Sequence, residues 1–258
     1  AEKAVENKVN LIQTWNQEIR IELGKPSEIT GEYALASLTG AVNDLKSKKL
    51  DGLVTAPINK ATIQSNKFNF PGHTEFLKSE LNDDEVMMMM ISKDLKVGIM
   101  TGHIPLQKVS ENLSAELIHK KIEIAQNSLR RDFGIEKPKI ALLGLNPHSG
   151  DSGLLGSEED EIIKPAIETE QAKGHLIFGP YPADGFFGNG QYLDFDLVIA
   201  MYHDQGLVPF KALKFEEGVN YTAGLSAVRT SPDHGTAYQI AGKGEADEQS
   251  FREALYWS

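Results

Sequence analysis

Residues 114–145, SAELIHKKIEIAQNSLRRDFGIEKPKIALLGL, hold a helix and a strand in the order that decides the fold. Ser114 places a side-chain oxygen ahead of an apolar repeat at Ile118, Ile122, Ala125, Leu129 and Phe133, the spacing of a helix with one buried face. Gly134 then offers the left-handed conformation that ends a helix, and 140–145 follows as an apolar run of strand length. The alternation repeats outward from here. Toward the N-terminus, a helix over 33–45 presents Ala34, Leu38, Ala41 and Leu45 on one face and leads to a strand at 53–56, which Pro57 stops. Further strands are predicted at 86–92, 97–100, 176–178 and 197–201, with a helix over about 158–172 kinked at Pro165. Helices are also expected over about 1–23, from about Thr236, and from about Asp247. This is the pattern of an α/β protein with a largely parallel sheet.

The chain has 258 residues, and 26 Lys plus Arg against 37 Asp plus Glu leave a net charge of -11, which argues against nucleic-acid binding. Hydrophobic residues at 40% and charged residues at 24% are a globular balance. No apolar stretch approaches the roughly 20 residues of a membrane helix, and the opening AEKAVENKVN lacks the features of a signal peptide. Without cysteine there is neither disulfide nor thiolate chemistry, so a cytoplasmic location is expected, and any transition-metal site must use His with Asp or Glu. The chain starts without Met and stops at FREALYWS inside an amphipathic pattern, so residues are expected to be missing at both ends.

Three histidines stand just beyond predicted strands: His103 in TGHIPL, His148 in LNPHSG and His203 in MYHDQG. In parallel sheets the carboxyl ends of strands form the ligand crevice. Three imidazoles placed there suit one divalent ion with open positions, and the alternative is that each caps a turn. His73 and Thr74 in FPGHTEFL begin a helix whose free N–H groups suit an anion, unless Thr74 is an ordinary N-cap. His119 and His175 read as structural, and Met87 to Met90 as a buried strand. The stretch 201–244 concentrates Asp204, Gln205, Lys211, Asn220, Arg229, Asp233 and His234, a density that suggests a lined cleft. Among these, Lys211, Asn220 and Arg229 suit a phosphate or carboxylate. No G-x-G-x-x-G after a strand, no P-loop and no G-x-S-x-G is present.

The motifs VTAPINK, PGHTE, TGHIPL, LNPHSGDSGLLGSEE, GPYPADGFF, YHDQGLVPFK and RTSPDHGTAYQIAGKGEAD, in this order, resemble the 4-hydroxythreonine-4-phosphate dehydrogenase family. The resemblance runs from about Gly31 to Ala254. It implies the two-lobed α/β fold of isocitrate and isopropylmalate dehydrogenases with an active-site cleft between lobes, so that 1–258 forms one catalytic chain of two intertwined lobes. A homodimer with shared active sites is implied too, with His103, His148 and His203 as metal ligands and the set completed across the dimer. By the same resemblance, substrate contacts fall on His73, Thr74, Lys211, Asn220 and Arg229, and NAD or NADP on His234, Gly235, Thr236, Ala237, Ile240 and Gly242. His with oxygen ligands accepts Zn, Mg, Co or Mn, so the sequence leaves the implied divalent metal open among these. The family's N-terminal strand and its M-G-D-P-A-G-I-G-P-E block are missing from this sequence, Gln239 replaces a common acidic residue, and Ser226 replaces a usual Pro.

The implied reaction oxidises 4-phosphooxy-L-threonine, a small phosphorylated hydroxy-amino acid, with NAD. The β-keto acid then loses CO2 to give 3-amino-2-oxopropyl phosphate, a step toward pyridoxal phosphate. Asp204 and Lys211 are the expected catalytic groups, Asp204 as partner of His203 or proton relay. A paralogue acting on threonate or erythronate 4-phosphate is the nearest alternative. A metal-dependent hydrolase and a silent binding protein are the others.

Overall fold

The computed structural model describes residues 4–258. Its elements begin with α1 (Glu28–Lys46), β1 (Gly52–Val54), α2 (His73–Leu81), β2 (Met87–Ile91) and β3 (Lys96–Ile99). Next come α3 (Val109–Asn112), α4 (Ala115–Arg131), β4 (Lys139–Leu143), α5 (Lys164–Ala172), β5 (Leu176–Tyr181) and α6 (Ala183–Gly188). The chain closes with β6 (Leu197–Ala200), α7 (His203–Lys214), β7 (Val219–Ala223), β8 (Val228–Pro232) and α8 (Gln249–Tyr256). Two compact units form: Ala1–Asp84 with Leu225–Ser258, and Glu85–Gly224. Among the described residues no helix is long and apolar enough to cross a membrane.

In the unit Glu85–Gly224 the strands run in the order β7-β2-β3-β6-β4-β5. The pairs β3·β6, β6·β4 and β4·β5 are parallel, and β2 is antiparallel to both β3 and β7. The sheet is thus parallel on one side, as expected, and mixed around β2. The residues 114–145 do what their spacing predicts. Ser114 Oγ accepts from Leu117 N at 3.2 Å, α4 buries Ile118, Ile122, Ala125 and Leu129, and Gly134 follows at φ +67°. One core cluster joins Val97 and Ile99 of β3, Ala141 and Leu143 of β4, and Val198 and Ala200 of β6 to Leu207 and Phe210 of α7. Gly206 permits this approach, because a Cβ there would lie 2.7 Å from Ile99 Cδ1 and 2.8 Å from Val97 Cγ1.

The helix expected over 158–172 is present, its first part as a π turn, Glu159–Ile163, running directly into α5. Pro165 lacks the N–H that an α-helical bond to Glu161 would require, and the wider turn accommodates its absence.

In the unit formed by Ala1–Asp84 and Leu225–Ser258, β1 pairs in parallel with β8 at Leu53↔Arg229. Ser27 caps α1 by accepting from Thr30 N, and α1 buries Leu35, Leu38, Val42 and Leu45. The helix predicted over about 1–23 lies in part outside the described residues, and residues 4–23 are irregular. Asn10 explains part of this: its side chain accepts from Val5 N and donates to the Val5 and Lys8 carbonyls, taking backbone groups that a helix would use. The helix expected from Thr236 is a single 3-10 turn, Tyr238–Ile240, entered through Ala237 at φ +48° and followed by Gly242 and Gly244 at positive φ. Glycine so close behind it leaves no helical continuation. The polar stretch 201–244 contains α7, β7 and β8.

Candidate active site

His103, His148 and His203 follow β3, β4 and β6, three neighbouring parallel strands of one sheet. The rings of His103 and His203 lie 5.1 Å apart between centroids. Hydrogen bonds pin these strand ends together: Thr101 Oγ1 donates to Met201 O at 2.8 Å, and Met100 N to Ala200 O at 2.8 Å. Gln205 bridges the next pair, its Oε1 accepting from Met201 N at 2.7 Å while its Nε2 donates to Gly144 O at 2.6 Å. One amide thus joins the segment carrying His203 to the segment carrying His148. His203 heads α7, and its Nδ1 lies 2.6 Å from Asp204 Oδ1, an arrangement that fixes the ring and leaves Nε2 for another partner.

His148 is exposed and enters an unusual backbone. From His148 to Ser152, five successive residues have positive φ, of which only Gly150 is glycine. His148 does not join His103 and His203 in a three-ligand group: no such cluster of His, Asp or Glu exists among the described residues. Lys211 lies two turns past His203 on α7, roughly 12 Å along the axis, and is half-buried, as is Asn220 on β7.

A second group of predicted residues belongs to the other unit. Here α2 begins at His73 after Gly72, with no side-chain cap, so Thr74 occupies the first turn and does not cap it. The free N–H groups of that turn carry partial positive charge. Phe76, packed on Phe68 at 5.1 Å and on Phe70 at 5.5 Å, fixes where the helix starts. Arg229 on β8 is 5% exposed, and its Nε and Nη2 donate to Thr55 Oγ1 at 3.1 and 2.7 Å. Burial lowers its pKa to about 10, opposed by Glu75, so it stays charged at neutral pH. Burial, then Arg229 and Lys60, push His73 down to about 4, so its imidazole is neutral.

The loop from His234 to Gly242 is largely exposed. His234 Nδ1 donates to Gly235 O at 2.9 Å, Gly235, Thr236 and Ala237 are open to solvent, and Ile240 is half-buried. Gly242 sits against Leu23, where a Cβ would meet Leu23 Cδ1 at 2.7 Å. Sequence reasoning did not assign roles to Thr55, Lys60, Glu75 or Thr101. Thr55 in VTAP had a signal, a hydroxyl placed just before the proline that ends a strand. His119 and His175, read as structural, flank the buried Glu170 with Nδ1 contacts of 2.6 and 2.7 Å.

One unit carries imidazoles at parallel strand ends and the other an uncapped helix start beside a buried guanidinium, each within an α/β protein. The chain belongs to the family described as pyridoxal phosphate biosynthetic protein PdxA, whose match covers residues 1–258. A 4-hydroxythreonine-4-phosphate dehydrogenase of Bacteroides thetaiotaomicron is 50% identical over 257 residues, 99% of this chain and 71% of that protein. A D-threonate 4-phosphate dehydrogenase of Cupriavidus necator is 44% identical, over 91% of this chain and 71% of its own. Among solved structures, the 4-hydroxythreonine-4-phosphate dehydrogenase of Klebsiella pneumoniae superimposes with a TM-score of 0.82 at 37% identity, covering 91% of this chain and 71% of that one.

Proposed function

We propose that this chain is a 4-hydroxythreonine-4-phosphate dehydrogenase that oxidises the secondary alcohol of 4-phosphooxy-L-threonine and releases CO2, in the synthesis of pyridoxal phosphate. The observation that carries this reading is the pairing of His103 and His203 at neighbouring strand ends in a chain 50% identical to an enzyme of that name. The donors fit a divalent ion: two imidazoles converge, and His203 is oriented through Nδ1 by a carboxylate. His148, which forms no three-ligand group with this pair among the described residues, would be the third ligand, with the set completed by a second copy of the chain in a homodimer. Held there, a Zn, Mg, Co or Mn ion would supply Lewis acidity toward the alcohol oxygen of the substrate, and NAD or NADP would supply the hydride acceptor.

The protein residues bind, orient and move protons. Arg229 and the α2 first turn at His73 and Thr74 hold the phosphate or carboxylate, and the neutral His73 donates to it without adding a second buried charge. Lys211 and Asn220 take the remaining polar groups of the substrate. Asp204 holds the Nδ1 proton of His203, and its 77% exposed carboxylate exchanges protons with solvent. Oxidation removes a hydride from carbon and a proton from the hydroxyl. Decarboxylation then breaks the C–C bond to the carboxylate, and Lys211 supplies the proton that the new carbanion takes up. Residues His234, Gly235, Thr236, Ala237, Ile240 and Gly242 form the cofactor loop.

The test is NADH formation by absorbance with 4-phosphooxy-L-threonine, with and without chelator, in wild type and His203→Ala. Chelator-sensitive turnover lost in the variant is the expected result. The 44% identical D-threonate enzyme supplies the second reading. Turnover with threonate 4-phosphate and none with 4-phosphooxy-L-threonine selects it.

A further inference from the structure

We infer that Glu159 is a positioning residue that fixes the turn from which His148 would be offered to the metal, an inference that rests on the metal-dependent reading above. Glu159 is 1% exposed. Its Oε1 accepts from Asn146 N at 2.7 Å, and its Oε2 from Asn146 Nδ2 at 2.9 Å. Asn146 immediately precedes the turn Pro147–Gly153 that contains His148, so both carboxylate oxygens act on the residue that launches the turn.

That turn needs an anchor. His148, Ser149, Asp151 and Ser152 sit at φ of 53°, 51°, 44° and 57°. Left-handed backbone costs a residue with a Cβ roughly 1–2 kcal/mol, and four such residues within a run of five persist only where neighbouring groups over-determine them. The loop also closes tightly around the carboxylate. A Cβ on Gly150 would come within 2.7 Å of Glu159 Oε2, and one on Gly144 within 3.1 Å of Oε1. Ser149 Oγ ties the far side of the turn to Pro180 O at 3.2 Å.

The chemistry explains why a carboxylate stands here despite its desolvation cost. Both groups facing it are donors, the backbone N–H and the side-chain amide of Asn146, so both partner atoms must accept. Glutamate offers two acceptors and charge-assisted bonds, whereas glutamine would turn one amide against the other. Glu158 adds to the clamp, accepting from Asn146 Nδ2 at 2.8 Å and from Ser110 Oγ at 2.5 Å.

The experiment is a Co2+ titration of the full chain, followed by visible absorption, in wild type, Glu159→Gln, Asn146→Ala and His203→Ala, with thermal unfolding measured alongside. A positioning role lowers Co2+ affinity at least tenfold in Glu159→Gln, the scale of groups that orient metal ligands, and severalfold in Asn146→Ala, which keeps the backbone bond. A lowered melting temperature with Co2+ affinity within twofold of wild type overturns the inference. Should Glu159→Gln fail to fold, Asn146→Ala decides by the same criterion. A wild-type chain that binds no Co2+ overturns the metal reading and this inference with it. A wild type and Glu159→Gln that bind equally overturn this inference alone.

Discussion

His203 stands 36% exposed at the end of β6 with a carboxylate on its Nδ1, whereas His73 is sunk at the start of α2 beside Arg229 and Lys60, its pKa held to about 4. Both are imidazoles at the mouth of a regular element, yet their surroundings give them different chemistry. Around His203, neutral hydrogen bonds from Thr101 and Gln205 fix the backbone and leave the ring available. Around His73, burial and two cations suppress protonation and keep positive potential for an incoming anion. The first environment suits a ligand that must be neutral and reachable. The second suits a donor that must not compete with Arg229 for charge.

The largest effect belongs to His103→Ala or His203→Ala, each expected to cut kcat/KM for 4-phosphooxy-L-threonine by about 1,000-fold or more, read as NADH formation over a range of divalent metal concentration. Next, Arg229→Lys keeps the charge and loses the fork that donates to Thr55. It should raise KM for the phosphorylated substrate by about 10- to 100-fold with a smaller change in kcat. Gln205→Leu leaves Met201 N and Gly144 O without their side-chain partner, and should cost about 2 kcal/mol in urea unfolding.

His73 gives a pH signature. Its folded pKa of about 4 lies below the ordinary 6.5, so between these values the unfolded chain binds a proton that the folded chain refuses. Stability therefore declines as pH falls from about 6.5 to about 4. His73→Gln should flatten that decline by about 2 kcal/mol, allowing for the partial exposure of the ring. The smallest effect, about 1 kcal/mol, is expected from Ser114→Ala at the start of α4. Its activity should be unchanged.

Much of this arrangement was legible in the residues. The strands predicted at 86–92 and 197–201 contain β2 and β6, and those at 97–100 and 140–145 overlap β3 and β4 but miss the leading Lys96 and Lys139, because an apolar run marks a strand and a lysine at its start does not. Placing histidines after such runs located them at strand ends, and pairing β3 and β4 on either side of β6 is what makes the placement meaningful. By contrast, α7 was hidden by Gly206 and Pro209, which lower helix propensity and are outweighed by packing of Leu207 and Phe210 against the sheet. The polar strands β7 (VNYTA) and β8 (VRTSP) carry too few aliphatic residues to stand out. Period alone could not reveal that Asn10 would unmake an N-terminal helix, nor that Gln205 would tie two strand ends together. Those are hydrogen bonds made by single side chains.

The four methionines in succession on β2 also set how this protein meets oxidants. Met87, Met89 and Met90 are 1% or less exposed, while Met88 is half-buried and faces a pocket that also includes Thr101 and Gly102. Peroxide reaches thioethers in order of access, so Met88 is the first to become a sulfoxide. That added oxygen would sit in the pocket lined by the residues that lead to His103, making the strand a record of oxidative damage beside that segment.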